Sequence, residues 1–233
     1  MKKLSLILFP LAISACSSDD LDLPIIVEPV SVTTDFNNGD QGWGAGFSDY
    51  TQGNEEIFEF KSEIRAVPNS DSQKGFYLSA HNRSDDVFMF LKKQVSGFEP
   101  NQRYLLEGTI HFFTNAGTEC FGIGGSPGES VYLKAGASEI EPAQADYHMN
   151  IDIGAQSQSG NDSVMIGTIG VPGIGCESEQ PVGEKTIEFS GEAGFEFVSS
   201  ADGDIWVYFG TDSGYEGKTQ MIYTEVTFTF TPQ

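Results

Sequence analysis

The segment RYLLEGTIHFF, residues 103–113, decides the fold. Tyr104, Leu106, Ile110 and Phe112 alternate with Arg103, Glu107, Thr109 and His111. Successive side chains of an extended strand point to opposite faces, so a period of two marks a strand with one buried face. The same period returns near the end of the chain, where Val226, Phe228 and Phe230 alternate with threonines. It also runs through Tyr147, Met149, Ile151 and Ile153, which alternate with His148, Asn150 and Asp152. DVFMFLKKQV, residues 86–95, is apolar on both phases in its first half and reads as a strand covered on both faces. Further strands are predicted over 58–64, 76–80, 131–134, 164–169, 187–189, 195–198 and 205–210, separated by Gly, Asn, Asp, Ser and Pro clusters. No stretch longer than about ten residues carries the 3–4 spacing of an amphipathic helix. About a dozen short strands without a helix leave a sandwich or a barrel.

At this length the expected fold is an all-β, jelly-roll-like β-sandwich of antiparallel strands, one domain over residues 35–233. The residues before it read differently. Lys2 and Lys3 precede an apolar run from Leu4 to Leu11, and ISAC (13–16) then sets small residues before a cysteine. Residues 1–15 read as a secretory signal, too short to remain as a membrane-spanning helix. SSDDLDLPIIVEPVSVTT, which follows, is acidic and punctuated by proline, so residues 16–34 read as a flexible tether. The ISAC ending resembles the lipobox of bacterial lipoproteins. That resemblance implies lipidation of Cys16, which becomes the new N-terminus, and export to the outer membrane or cell surface. Ser17, rather than an aspartate, favours the outer membrane in family terms.

The chain holds 34 Asp and Glu against 12 Lys and Arg, a formal net charge of −22. Such a surface repels nucleic acid and anionic headgroups, so no nucleic-acid partner is expected. Beyond Cys16 only Cys120 and Cys176 remain. In an exported, oxidising setting they are expected to pair as a disulfide, and two cysteines without a further Cys or His pair make no structural zinc site.

GIGGSPGES, residues 122–130, contains the Gly-x-Ser-x-Gly pattern of a hydrolase nucleophile elbow. That elbow takes half of its oxyanion hole from the N–H of the residue after the serine. Here Ser126 is followed by Pro127, which has no N–H, and the chain then continues as a strand rather than a helix. A phosphate cradle would need a Lys-Ser/Thr ending and a helix N-terminus, and neither is present. The segment reads as a turn between strands. His81, His111 and His148 form no metal-binding His-Glu-x-x-His pair.

Three resemblances bear on function. KSEIR (61–65), TIH (109–111) and YLKAG (132–136) resemble, in order, the three strand motifs of jelly-roll alginate lyases. The resemblance implies β-elimination, with Arg65, Glu63 and a glutamine neutralising the uronate carboxylate. His111 would be the base and Tyr132 the acid. Lys61, Thr109 and Ser138 depart from that pattern. FNNGDQGW, SDDVFMFLKKQVSGFEPNQRY, GIGGSPGESVYLKAGAS, NIDIGAQSQ and GTDSGYEG resemble a broad group of bacterial exported lipoproteins, which implies no catalytic residues. DFNNGDQGWG looks like the first strand and turn of jelly-roll carbohydrate-binding modules.

Binding is favoured over catalysis. Sugar recognition needs aromatic faces flanked by amides and carboxylates. In DIWVYFGTDSGYEG (204–217), Trp206 and Tyr208 share one strand face, opposite Ile205, Val207 and Phe209, and Asp212 and Tyr215 follow. These four are the candidate ligand residues for a polysaccharide. Asp35, Asn37 and Asp40 begin like a calcium loop but lack the glutamate of its twelfth position, so a structural calcium is an open alternative and no cofactor is assigned. A structural or partner-binding envelope lipoprotein, docking another envelope component, is the remaining reading. It requires both sheet faces to be covered.

Overall fold

A computed structural model of the chain describes residues 27–83 and 85–233. The signal segment, Cys16 and the first part of the tether lie outside the described residues. The strands are β1 Val30–Asp35, β2 Gly44–Ser48, β3 Lys61–Ala66, β4 Lys74–His81, β5 Phe88–Ser96, β6 Arg103–Thr114 and β7 Val131–Ser138. There follow β8 Gln144–Ala145, β9 His148–Met149, β10 Ser163–Thr168, β11 Gly183–Phe189, β12 Phe195–Val198, β13 Asp204–Ser213 and β14 Lys218–Pro232. Three 3-10 turns are the helical elements among the described residues, and none is long and apolar enough to cross a membrane.

The strands form a two-layer, antiparallel, jelly-roll-like sandwich. Sheet A runs β11-β6-β14-β4-β3, with β12 beside the start of β6 and β1 beside the end of β14. Sheet B runs β10-β7-β13-β5-β2. The alternation decides which residues fill the space between. From sheet A, Leu78, Ile110, Phe112, Val226, Phe228 and Phe230 point inward; from sheet B, Met89, Leu91, Leu133, Val207 and Phe209 meet them, all fully buried. Trp43, in the glycine-rich turn before β2, closes this core. Its indole meets Phe209 edge-on at 5.2 Å, and its Nε1–H donates to Thr34 Oγ1 at 2.9 Å. A buried indole keeps its donor satisfied in this way.

Three expectations are corrected. The first strand begins at Val30, inside the stretch read as tether; residues 30–35 pair along Phe230–Glu225, and Val30, Val32 and Thr34 supply the β-branched alternation behind it. The alternating segment 147–153 is not a sheet strand. Only His148–Met149 pairs, with β8, and Met149, Ile151 and Ile153 instead bury against the outer face of sheet B. Apolar alternation reports a buried side, and an irregular chain lying across a sheet meets that need as well as a paired strand. Residues 58–60, read as the start of a strand, end a 3-10 turn at Phe58, and β3 starts at Lys61.

Cys120 and Cys176 form the expected disulfide, with Cα atoms 5.5 Å apart and a sequence separation of 56. On the chain-entropy account, closing a loop of that length contributes about 4 kcal/mol. The bond braces the GIGGSPGES loop at the β7-entry end of the sandwich. Ser126 Oγ there is engaged by Glu129 and accepts from the Gly128 and Glu129 N–H groups, each at 3.2 Å. That serine belongs to a turn, and β7 follows.

Candidate functional site

The outer face of sheet B carries the site. Register places Gln94, Trp206 and Ser138 in one row across β5, β13 and β7. Lys92, Tyr208 and Gly136 form the next row, Phe90, Gly210 and Lys134 the third, and Phe88, Asp212 and Tyr132 the fourth. The segment between β7 and β10, residues 139–162, folds back over the last three rows. Its Met149, Ile151 and Ile153 pack on Phe88, Phe90 and Tyr208 as a second apolar core. Glycines let these rings lie flat. A Cβ on Gly136 would stand 2.8 Å from the Tyr208 hydroxyl, and one on Gly46 would stand 2.5 Å from the Phe90 ring. Two carboxylates pin the cover. Asp152 accepts from the Gly154 and Asn161 N–H groups at 3.0 and 3.1 Å, and the Asp152 N–H donates to Asp162 at 2.7 Å. Those N–H donors hold the Asp152 carboxyl below its ordinary pKa.

Beneath the cover lies a buried polar network. Lys134 Nζ, with no exposure, stands 2.7 Å from Asp212 Oδ2 and also donates to the Ile153 carbonyl at 2.7 Å. Beside the pair, Asp49, Asp86, Asp212 and His148 line a cavity of about 220 Å³. Asp86 is pushed up to about 9, first by burial and then by its hydrogen bond to Asp212 and the charges of Asp212 and Asp49, against the pull of Lys134. Burial also raises Asp49, while hydrogen bonds from His148 and Ser48 oppose it. His148 Nδ1 is 2.9 Å from Asp49 Oδ1. The sequence reading missed this network. Its one local signal is a lysine in the otherwise apolar VYLKAGAS.

The four candidate ligand residues do not share one surface. Trp206 remains partly exposed at the end of the face, in the row of Gln94 and Ser138. Tyr208 is fully buried, its hydroxyl donating to the Asp162 carbonyl at 2.8 Å, and burial drives its pKa far up. Asp212 is the buried partner of Lys134. Tyr215 lies past the far end of β13, about 25 Å from Trp206 by strand rise, packed over Gly122 and Gly217.

The alginate-lyase trio is separated by the whole sandwich. Arg65 and His111 lie on the outer face of sheet A. The Arg65 guanidinium sits 4.4 Å over the Tyr77 ring, and His111 bonds Thr224 and Glu184. Tyr132 is on the outer face of sheet B, across from Asp212. Packed sheets stand about 10 Å apart, so these side chains converge on no common groove. The calcium loop is replaced by a 3-10 turn. Asp35 accepts from the Asn37 N–H at 2.9 Å, Asn37 Oδ1 turns to the Lys74 N–H, and Asp40 caps Gly42. Among the described residues no three His, Cys, Asp or Glu side chains stand together as metal ligands.

Between β7 and β12 the sandwich edge opens, one strand away from Trp206. A cleft of about 400 Å³ runs between the cover and β12. It is lined by Ser138, the row partner of Trp206, with Asn150, Asn161, Asp162 and Glu139 as polar groups and Ile140 and Val198 as apolar ones. Lys92 Nζ lies 5.8 Å over the Trp206 ring and is held by Glu141 Oε1 at 2.8 Å and by the Pro142 carbonyl at 2.7 Å. An amphipathic cleft walled by amides and carboxylates is the kind of surface that takes a small polar ligand.

No family model matches the chain. No curated protein matches it either. Among solved structures it is similar to TmCBM61 in complex with β-1,4-galactotriose, at 13% identity and a TM-score of 0.36, over 83% of this chain and 92% of that one. It is also similar to the K1 cleaved adhesin domain of Lys-gingipain from Porphyromonas gingivalis, at 13% identity and a TM-score of 0.40, over 85% and 97%. A third is the family 11 carbohydrate-binding module of a cellulosomal cellulase of Clostridium thermocellum, at 11% identity and a TM-score of 0.39, over 88% and 95%. Likenesses this distant add nothing to the site geometry.

Proposed function

We propose that this chain is a glycan-binding β-sandwich displayed at a bacterial outer membrane or cell surface through a lipid on Cys16. The partly exposed indole of Trp206, one strand away from a cleft of amides, carboxylates and apolar side chains, supports the binding half of the reading. A purely structural sandwich would have this face covered throughout, and Trp206 keeps part of its surface exposed. The lipobox-like ISAC supports the anchoring half.

Affinity electrophoresis against a panel of soluble polysaccharides tests the first half. The parent is expected to be retarded by at least one of them, and Trp206→Ala to weaken that binding about tenfold or more, the usual cost of losing a central aromatic contact. A parent retarded by none removes the reading. For the second half, a fatty-acid label is expected on the parent and not on Cys16→Ser. Equal labelling of the two would exclude that cysteine as the anchor.

A further inference from the structure

We infer that the cavity under the cover, between Asp212 and the mouth at His148, takes a small primary alkylammonium of the four-carbon diamine kind. The inference stands apart from the glycan reading. The cavity is about 220 Å³, room for roughly seven non-hydrogen groups at about 30 Å³ each. Met149, Ile151 and Ile153 give it an apolar wall. Asp49, Asp86, Asp152, Asp212 and His148 are its titratable groups, and among the described residues no lysine or arginine lines it. His148 and Asp152 are exposed and form the mouth, while Asp212, 2% exposed, lies at the floor.

One buried oxygen points to what the cavity lacks. Asp212 gives Oδ2 to Lys134 at 2.7 Å, whereas its Oδ1 is fully buried and receives no N–H or hydroxyl of the described residues. Lys134 does not line the cavity and Asp212 does, so Oδ1 is the oxygen left on the cavity side. Its neighbour there is Asp86, and two carboxyls in contact need a proton or a cation between them. Asp86 supplies the proton, and so titrates only at about 9. An ammonium carries a full charge and three N–H donors, and takes that proton's place. Asp86 is left as a carboxylate bonded to the ammonium, and one proton goes to solvent. A calcium ion wants six or more oxygens, and no three ligating side chains are gathered here. A four-carbon chain along the apolar wall brings a second ammonium to Asp152 at the mouth, where N–H donors keep the carboxyl charged.

Isothermal titration calorimetry of the parent with 1,4-diaminobutane at neutral pH, in two buffers of different ionisation enthalpy, counts the protons exchanged. The amines stay charged there, as a lysine ammonium does. About one proton is expected to leave per diamine bound, and affinity is expected to rise by up to about tenfold per pH unit from pH 6 to 8. Asp86→Asn is expected to lose the proton count and to bind about tenfold or more weakly at pH 8. His148→Gln, which removes the imidazole facing the same mouth, is expected to keep the count. n-Butylammonium is expected to bind about tenfold or more tightly than tetramethylammonium, which has equal charge and no N–H, the scale of one hydrogen bond to a charged group.

Binding without proton release, or tetramethylammonium matching n-butylammonium, shows attraction by net charge alone and overturns the inference. A count lost in His148→Gln and kept in Asp86→Asn places the proton on the imidazole and also overturns it. Absence of binding at millimolar diamine overturns it outright. The parent carries this last test and the proton count by itself, so neither depends on a variant that folds, and none of these outcomes bears on the polysaccharide panel.

Discussion

Lys134→Met is expected to destabilise the fold by about 3–5 kcal/mol, because it strands the Asp212 carboxylate, 2% exposed, without its counter-charge. In a chain of this size that lowers the Tm by roughly 6–20 °C, read by calorimetry or circular dichroism. The second half of the test is the double variant Lys134→Met with Asp212→Asn. A buried ion pair replaced on both sides loses its attraction and its desolvation cost together, so the double variant is expected to recover most of the loss. A single variant within 1 kcal/mol of the parent, or a double variant as unstable as the single one, would show that the pair does not hold the cover down.

Raising the pH from 5 to 8 is expected to destabilise the parent, opposite to the trend of a protein governed by salt-bridged carboxylates. Asp86 titrates near 9 in the fold and near its ordinary 3.8 when unfolded. Between those values the folded state holds a proton that the unfolded state has lost, so stability is full below about pH 4 and falls as pH climbs toward 9. Burial moves Asp49 the same way. Three pH units correspond to about 4 kcal/mol at full shift, and discounting by half for the part-exposure of Asp86 leaves about 2 kcal/mol. The Tm at pH 8 is then about 4–8 °C below that at pH 5. Asp86→Asn keeps a neutral hydrogen-bonding group in place and is expected to flatten most of this slope. A parent whose Tm is level or rising over the interval, or an Asp86→Asn slope as steep as the parent's, would sink the assignment.

The strand phases were legible because each depends only on neighbours two residues away. Ile205, Val207 and Phe209 enter the core, and Trp206 points out of it, as alternation alone requires. Tyr208 shares the outward phase and is buried all the same, because a segment begun some seventy residues earlier crosses over it. That segment's own alternation imitated a strand. The Lys134–Asp212 pair is 78 residues apart in sequence and meets only through the β7–β13 register. Motif order could not show that His111 and Tyr132 face away from each other, since order along a chain does not say which of two sheets a strand joins. Asp35 and Asp40 have the spacing of ligands and the work of turn caps, which the same short carboxylates perform.

The pairing of Val30 with Phe230 has a bearing on orientation. The end of β14 lies beside the start of β6, and the β5–β6 loop meets the loop before β13, where Asn101 bonds Ser200. The chain thus enters the sandwich at the same pole as Trp206, while the disulfide-braced loop with Phe121 and Ile123 sits at the antipode. Fully stretched, the residues between Cys16 and Val30 reach about 50 Å. Under the proposed anchor at Cys16, the pole nearest the attachment would be the one that carries Trp206, and a saccharide rooted in the same layer would be within reach. A polymer arriving from the medium would first meet the opposite pole.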